Sequence, residues 1–236
     1  MSTVLVTGGC GFLGSHIVDE LLINNYDVIV LDKNIIKHSN SSNLEYVKFD
    51  LFKDDIPKKI ISKCEIIIHL AGFSDLNAAL DAPLDTVYNN VVATTKLLQL
   101  ASEIRINRFL FASTVYVYSQ GGGFYKASKQ ACEVYIEEFH KRYGLDYTIL
   151  RYGSLYGPRS NHLNGLWRIV KNALESEKVY YEGSPETMRE YIHVEDAASA
   201  SVEAMDEKFK NQHIVLTGQE PMRVYDLLKM LAEILG

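Results

Sequence analysis

The chain has 236 residues, of which 47% are hydrophobic and 23% charged. That is long enough to bury a core without disulfide or metal staples, and too apolar for a disordered segment. With 24 basic against 30 acidic residues the formal charge is −6, and no basic stripe marks a nucleic-acid binder.

Cys10, Cys64 and Cys132 are scattered without ligand spacing, which suits a reducing cytosol better than secretion. The histidines at 16, 38, 69, 140, 162, 193 and 213 include no pair at ligand spacing on a helix face, so no metal is expected. No apolar run approaches the roughly 18 residues of a membrane span. The N-terminus enters an apolar strand with no basic region or cleavage-like segment before it. A soluble, cytoplasmic protein with neither membrane nor nucleic acid as partner is expected.

In chain order, short apolar runs at residues 4–6, 28–31, 46–49, 66–70, 109–112, 147–150 and 214–216 read as strands covered on both faces. Helical patterns lie between them, clearest at 13–24, 84–103 and 125–143. In the second, Leu84, Val87, Tyr88, Val91, Thr94, Thr95 and Leu98 share one stripe. The alternation predicts an open α/β fold, a parallel sheet with helices on both faces. From about residue 152 the pattern loosens, and residues 152–193 read as a small excursion before a return near Ile214.

The run from Thr7 to Gly14 follows the first strand and opens the first helix. Its glycines at 8, 11 and 14 suit a tight turn, a close approach to a pyrophosphate, and close packing of helix on strand. A helix N-terminus there offers free N–H groups and a positive dipole end to phosphate. Asp32 closes the second strand 18 residues beyond Gly14, where a carboxylate bonds ribose hydroxyls and repels a 2′-phosphate. NAD is therefore favoured, with Lys33 leaving NADP open.

Tyr125 and Lys129 stand four residues apart at the start of a helix and so share a face. An ammonium about 5 Å from a phenol contributes about 3 kcal/mol at an effective dielectric near 20. That is about two pKa units, enough to draw a tyrosine toward neutrality and let it act as a general base. Ser113 and Thr114 end the preceding strand on the same sheet edge. Neighbouring strand residues face opposite ways, so one of the two can serve the site.

With His69-Leu70-Ala71-Gly72, Asn89-Asn90-Val91, Leu150-Arg151-Tyr152 and the segment from Arg189 to Val194, these motifs stand in a familiar order. Together they resemble the extended short-chain dehydrogenases/reductases, and among them the NAD-dependent nucleotide-sugar epimerases and dehydratases. The resemblance runs through the whole chain. It implies a Rossmann-type doubly wound sheet over residues 1–151, a small, incomplete substrate-binding lobe at 152–193, and a return to the sheet at 194–236.

The resemblance also implies roles. Tyr125 is the acid/base, Lys129 lowers its pKa and holds the nicotinamide ribose, and Thr114 bonds the reacting sugar oxygen. Gly8, Gly11, Phe12, Leu13 and Gly14 face the pyrophosphate, and Asp32 the adenosine ribose. Asp50 and Leu51 lie beside the adenine, Leu70, Ala71 and Gly72 along the cofactor, and Asn90 near the pyrophosphate. Ser113 and Tyr152 complete the cofactor site, the latter near the nicotinamide. Ser154 and Arg189 meet the substrate, the arginine gripping a nucleoside diphosphate. A homodimer through the helices at 84–103 and 125–143 is implied, with Tyr88, Val91, Leu98, Val134 and Phe139 facing either partner or sheet.

Three departures bear on these expectations. Only eleven positions separate Thr114 from Tyr125, where related enzymes have twenty or more, so Gly121-Gly122-Gly123 must make a tight reversal or leave the site open to water. Val115-Tyr116 stands where 4,6-dehydratases carry an Asp-Glu pair, which disfavours dehydration. The chain ends at Gly236 where relatives continue, and Ser154 replaces a frequent asparagine. The expected activity is 4-epimerisation of a nucleotide-activated sugar. A 4-ketoreductase or dehydrogenase, or a catalytically weak cofactor-binding module, are the alternatives.

Overall fold

The computed structural model describes residues 2–176 and 178–235. Seven parallel strands form the main sheet: β1 (Thr3–Thr7), β2 (Asp27–Asp32), β3 (Leu44–Lys48), β4 (Ile66–His69), β5 (Arg108–Thr114), β6 (Tyr147–Tyr152) and β9 (Gln212–Leu216). Their spatial order is β3-β2-β1-β4-β5-β6-β9, so the chain reverses direction across the sheet between β1 and β4. That switch point opens a crevice at the strands' carboxyl ends.

Alternation along each strand builds a core on both faces. Leu5, Ile67, Phe109, Phe111 and Ile149 pack on one side against α2 (Lys58–Ile61), α5 (Ala93–Ile104) and α6 (Gly123–Tyr143). Val4, Val6, Ile68, Leu110 and Leu150 pack on the other against α1 (Phe12–Ile23) and α8 (Val194–Glu203). Phe109 and Phe111 are almost wholly buried, and side chains of that kind contribute about 1.5–3 kcal/mol each.

The predicted helical stripe at 84–103 is interrupted. After α3 (Leu76–Asp81), α4 (Pro83–Thr86) runs into a π-helical segment, Val87–Val92, before α5. The wider turn rotates the two halves relative to each other. Leu84, Val87 and Tyr88 are exposed, whereas Thr94, Leu97 and Leu98 are buried. Val91 and Phe139 pack on the core and Val134 is exposed, which divides the residues left open between sheet and surface.

The excursion contains β7 (Ser154–Tyr156), α7 (Gly165–Ser176) and β8 (Met188–His193). Its sheet has the order β10-β8-β7, with β7 and β8 parallel and β10 (Pro221–Arg223) antiparallel to β8. Within residues 194–236, α8 packs on the main sheet and β9 joins its edge. β10 joins the small sheet, and α9 (Val224–Leu235) contacts α7. No helix among the described residues is long and apolar enough to cross a membrane.

Candidate active site

The turn after β1 is built without room for side chains. A Cβ on Gly14 would lie 2.2 Å from the Gly8 carbonyl oxygen, and Gly8 itself sits at φ +73° against the Ala71 backbone. No side chain caps α1 and no acid occupies its first turn, so the free N–H groups and the dipole face the crevice uncompensated. Asp32 holds the turn from the neighbouring strand, Oδ2 accepting from the Cys10 N–H at 3.0 Å and Oδ1 from that of Asn34. A cradle shaped by absent side chains, with a positive helix end and a carboxylate beside it, fits a dinucleotide. Phe12 and Leu13 stand half-buried in the first turn of α1.

Farther along β2 and β3, the Asp50 carboxylate accepts from the Phe52 N–H at 3.1 Å, and Leu51 is buried in the α5 side of the core. Leu70, Ala71 and Gly72 continue β4 past the sheet edge. His69 lies under them, fully buried, its ring nitrogens 2.6 Å from Thr7 Oγ1 and 2.9 Å from Thr94 Oγ1. Burial, helped by the Lys129 charge, pulls its pKa down to about 3, so it is a neutral tie between β1, β4 and α5.

Asn90, within the π-helical segment, is engaged by the chain itself. Its Oδ1 accepts from the Phe73 N–H at 2.6 Å, and its Nδ2 donates to the Phe73 carbonyl and to Ser128 Oγ. It therefore clasps the 72–73 loop to α6, leaving its amide committed to that loop.

At the ends of β5 and β6, side-chain parity decides which residues reach the site. Ser113 follows Phe109 and Phe111 to the α6 face, where its hydroxyl donates to Glu133 Oε1. Tyr152 follows Leu150 to the α8 face, where its hydroxyl lies 2.7 Å from Ser201 Oγ and its ring joins the core. Each hydroxyl is engaged inside the fold, because the strand's alternation turns it there.

Thr114 ends β5, buried, its Oγ1 accepting from the Tyr116 N–H at 3.2 Å. The link to α6 begins with a 3-10 turn, Val115–Tyr118, and reverses through Gly122 at φ +94° and Gly123 at φ +49°. It is latched rather than loose. Lys126 Nζ donates to the Ser119 carbonyl at 3.1 Å, and Gln130 Nε2 to that of Val117 at 2.9 Å.

Lys129 is buried and donates to the Ala112 carbonyl at 2.8 Å, with its Nζ 5.9 Å from the Tyr125 ring centre and 3.8 Å from where a Gly72 Cβ would stand. Burial lowers its pKa, against the raising pull of Cys132 and Glu133. Desolvation likewise pushes the half-buried Tyr125 phenol up, with the Tyr116 hydroxyl adding to the rise. The direction is opposite to the expected drop of Tyr125 toward neutrality, and the Lys129 amine is engaged by a backbone carbonyl.

Arg189 reaches the same region from β8, its guanidinium 5.7 Å from the Tyr116 ring centre, and Ser154 stands opposite Tyr191 on the adjacent strand. Tyr116 is not among the residues that the motifs assign to the site, yet its ring faces the Arg189 guanidinium. The signal was its position two residues past Thr114. His193 caps α8 by accepting from the Glu195 N–H.

A family model described as the NAD dependent epimerase/dehydratase family matches residues 4–217. A putative UDP-glucose 4-epimerase of Methanocaldococcus jannaschii is 32% identical over 96% of this chain and 81% of its own length. A UDP-glucose 4-epimerase from Thermotoga maritima, crystallised with UDP-glucose, superposes with a TM-score of 0.89 at 29% identity, covering 99% of this chain and 82% of that one. A UDP-glucuronic acid 4-epimerase from Bacillus cereus, in complex with UDP-glucuronic acid and NAD, gives 0.90 at 25% identity, covering 98% and 82%.

Proposed function

Because the chain belongs to the NAD dependent epimerase/dehydratase family, we propose that it inverts C4 of a nucleotide-activated sugar while retaining NAD. The observation that carries this reading is the placement of Lys129, whose amine spans from the Ala112 carbonyl at the end of β5 to Gly72 beyond β4. The Tyr125–Lys129 pair thereby adjoins the glycine-lined crevice.

When bound, NAD supplies a reversible two-electron oxidation at the sugar's C4. Gly8, Gly11 and Gly14 with the first turn of α1 hold its pyrophosphate, and Asp32 its adenosine ribose. Thr114 Oγ1 already accepts the Tyr116 N–H, so its own proton is free to be donated to the C4 oxygen. Tyr125 takes the proton of the C4 hydroxyl and later returns it. Lys129 supplies the positive charge that an emerging phenolate needs in a desolvated site. Arg189 and Ser154 hold the diphosphate. Val115 and Tyr116 supply no carboxylate pair, so elimination of water is not part of the cycle.

Residues 1–151 form the cofactor-binding part and 152–193 the main portion of the substrate lobe. Exposed Leu80, Leu84, Val87 and Tyr88, with Phe124, Val134 and Tyr135 of α6, form an apolar surface that a second copy covers in a homodimer. The three free cysteines are all buried, which suits action in the cytoplasm.

The test joins cofactor content to turnover. The purified protein is denatured and assayed for released NAD, and the intact protein is incubated with UDP-glucose, UDP-N-acetylglucosamine or UDP-glucuronic acid. Retained NAD and appearance of a C4 epimer by NMR, without net change in nicotinamide absorbance, are expected. Net NADH formation or consumption would instead establish the reductase alternative.

A further inference from the structure

Beside the reacting groups on α6 lies a charge network, buried at Glu133, that the proposed chemistry does not use. Tyr125, Lys129, Glu133 and Glu137 recur every four residues along α6, so one face of the helix carries all four. Glu133 is only 6% exposed. Its Oε1 accepts from Ser113 Oγ and from Arg151 Nε at 3.0 Å, and its Oε2 from Arg151 Nη2 at 2.6 Å. This is the two-pronged arginine–carboxylate geometry, which sets direction as well as attraction.

Arg151 also reaches forward. Its Nη1 donates to the Tyr118 hydroxyl, and its guanidinium lies 4.8 Å from the Tyr118 ring centre. Nη2 donates to His213 Nδ1 at 2.6 Å, which leaves the His213 proton on Nε2, 2.9 Å from Glu137 Oε1. One guanidinium thus joins α6 to the end of the 3-10 turn that follows Thr114, while Ser113, the residue before Thr114, is tied to the same carboxylate.

We propose that Glu133, fixed by Arg151 and Ser113, is a positioning residue that holds the Tyr125–Lys129 face of α6 at working distance from Thr114. The proposal rests on the reading of those three residues as the reacting set. Two physical points support it. Burying an ion pair is costly and often contributes nothing net to stability, so a pair placed here serves geometry better than stability. The latches of Lys126 and Gln130 also hold the link at Ser119 and Val117, beyond Thr114, whereas the Glu133 carboxylate takes hold of Ser113, the residue next to Thr114.

The test uses Ser113→Ala, which leaves no charge unpaired, Arg151→Lys, which keeps the charge but loses the fork, and Glu133→Gln. Turnover, KM, retained NAD, melting temperature and hydrogen exchange of the 113–126 segment are measured together. A 1 Å misplacement costs up to about 100-fold, so kcat is expected to fall about 10- to 100-fold in Glu133→Gln and less in the other two. KM and retained NAD stay near wild type, and exchange of the segment quickens in Arg151→Lys at unchanged melting temperature. Wild-type kcat in Ser113→Ala and Arg151→Lys would overturn the proposal, as would losses of kcat that only track melting temperature. A wild-type protein without turnover would sink the functional reading alone, since faster exchange in the variants would still support the clamp.

Discussion

The two halves of the crevice are built on different principles. On the β1–α1–β2 side, every decisive feature is steric and close in sequence: Gly14 cannot carry a Cβ against the Gly8 carbonyl, and Asp32 reaches Cys10 across one pair of neighbouring strands. On the β5–α6 side, Thr114, Tyr125 and Lys129 come together through partners from β6, β8 and β9, and through a buried carboxylate on the helix itself. The first half can bind a cofactor with little help from elsewhere. The second works only if distant strands deliver their side chains at the right parity.

The contrast is broken most severely by Tyr125→Phe. Removal of a general acid–base costs about 10²- to 10⁴-fold, and a loss of that size in steady-state turnover is expected with NAD content and circular dichroism unchanged. Survival of more than a tenth of the wild-type rate would mean that another group moves the proton.

Gly14→Ala attacks the other half and should leave the opposite signature. Overpacking of this kind costs about 1–3 kcal/mol, and here the overlap is with backbone, so released NAD falls sharply and the melting temperature drops. Gly165→Ala, at a position with nothing near its Cβ, serves as the control and is expected to retain both.

A pH dependence of stability links the halves, with no loss of turnover in it. His69 is held neutral, with its pKa depressed from 6.5 to about 3. An unfolded chain gains that proton below about pH 6.5 and the native chain does not. The stability His69 lends is present above pH 6.5 and is lost as pH falls toward 3. Urea midpoints measured from pH 7 to 4 should decline, and His69→Asn should flatten the decline; an unchanged slope would exclude His69 as its source.

How far the site could be read in advance follows the same division. The glycine spacing, Asp32 and the Tyr125–Lys129 interval are local patterns whose meaning depends only on the adjoining strand and helix, and their elements lie where periodicity places them. Parity was legible as a rule, since Ser113 and Thr114 must point apart, but the direction each took was not. The stripe at 84–103 misled because a single π-helical segment shifts helical phase without any mark in the pattern of apolar residues.

By itself the amino-acid order determined the α/β alternation, the glycine turn that opens α1 and the Tyr125–Lys129 interval on one helix, because these rest on sterics and on spacings of three or four positions. Tertiary structure alone decided that Ser113 and Tyr152 serve the core, that Asn90 holds a loop, and that Glu133 meets Arg151 behind Tyr125. It also decided the electrostatics of the site. Desolvation raises Tyr125 and lowers Lys129, and it depends on what the rest of the chain packs around a group rather than on its neighbours in sequence.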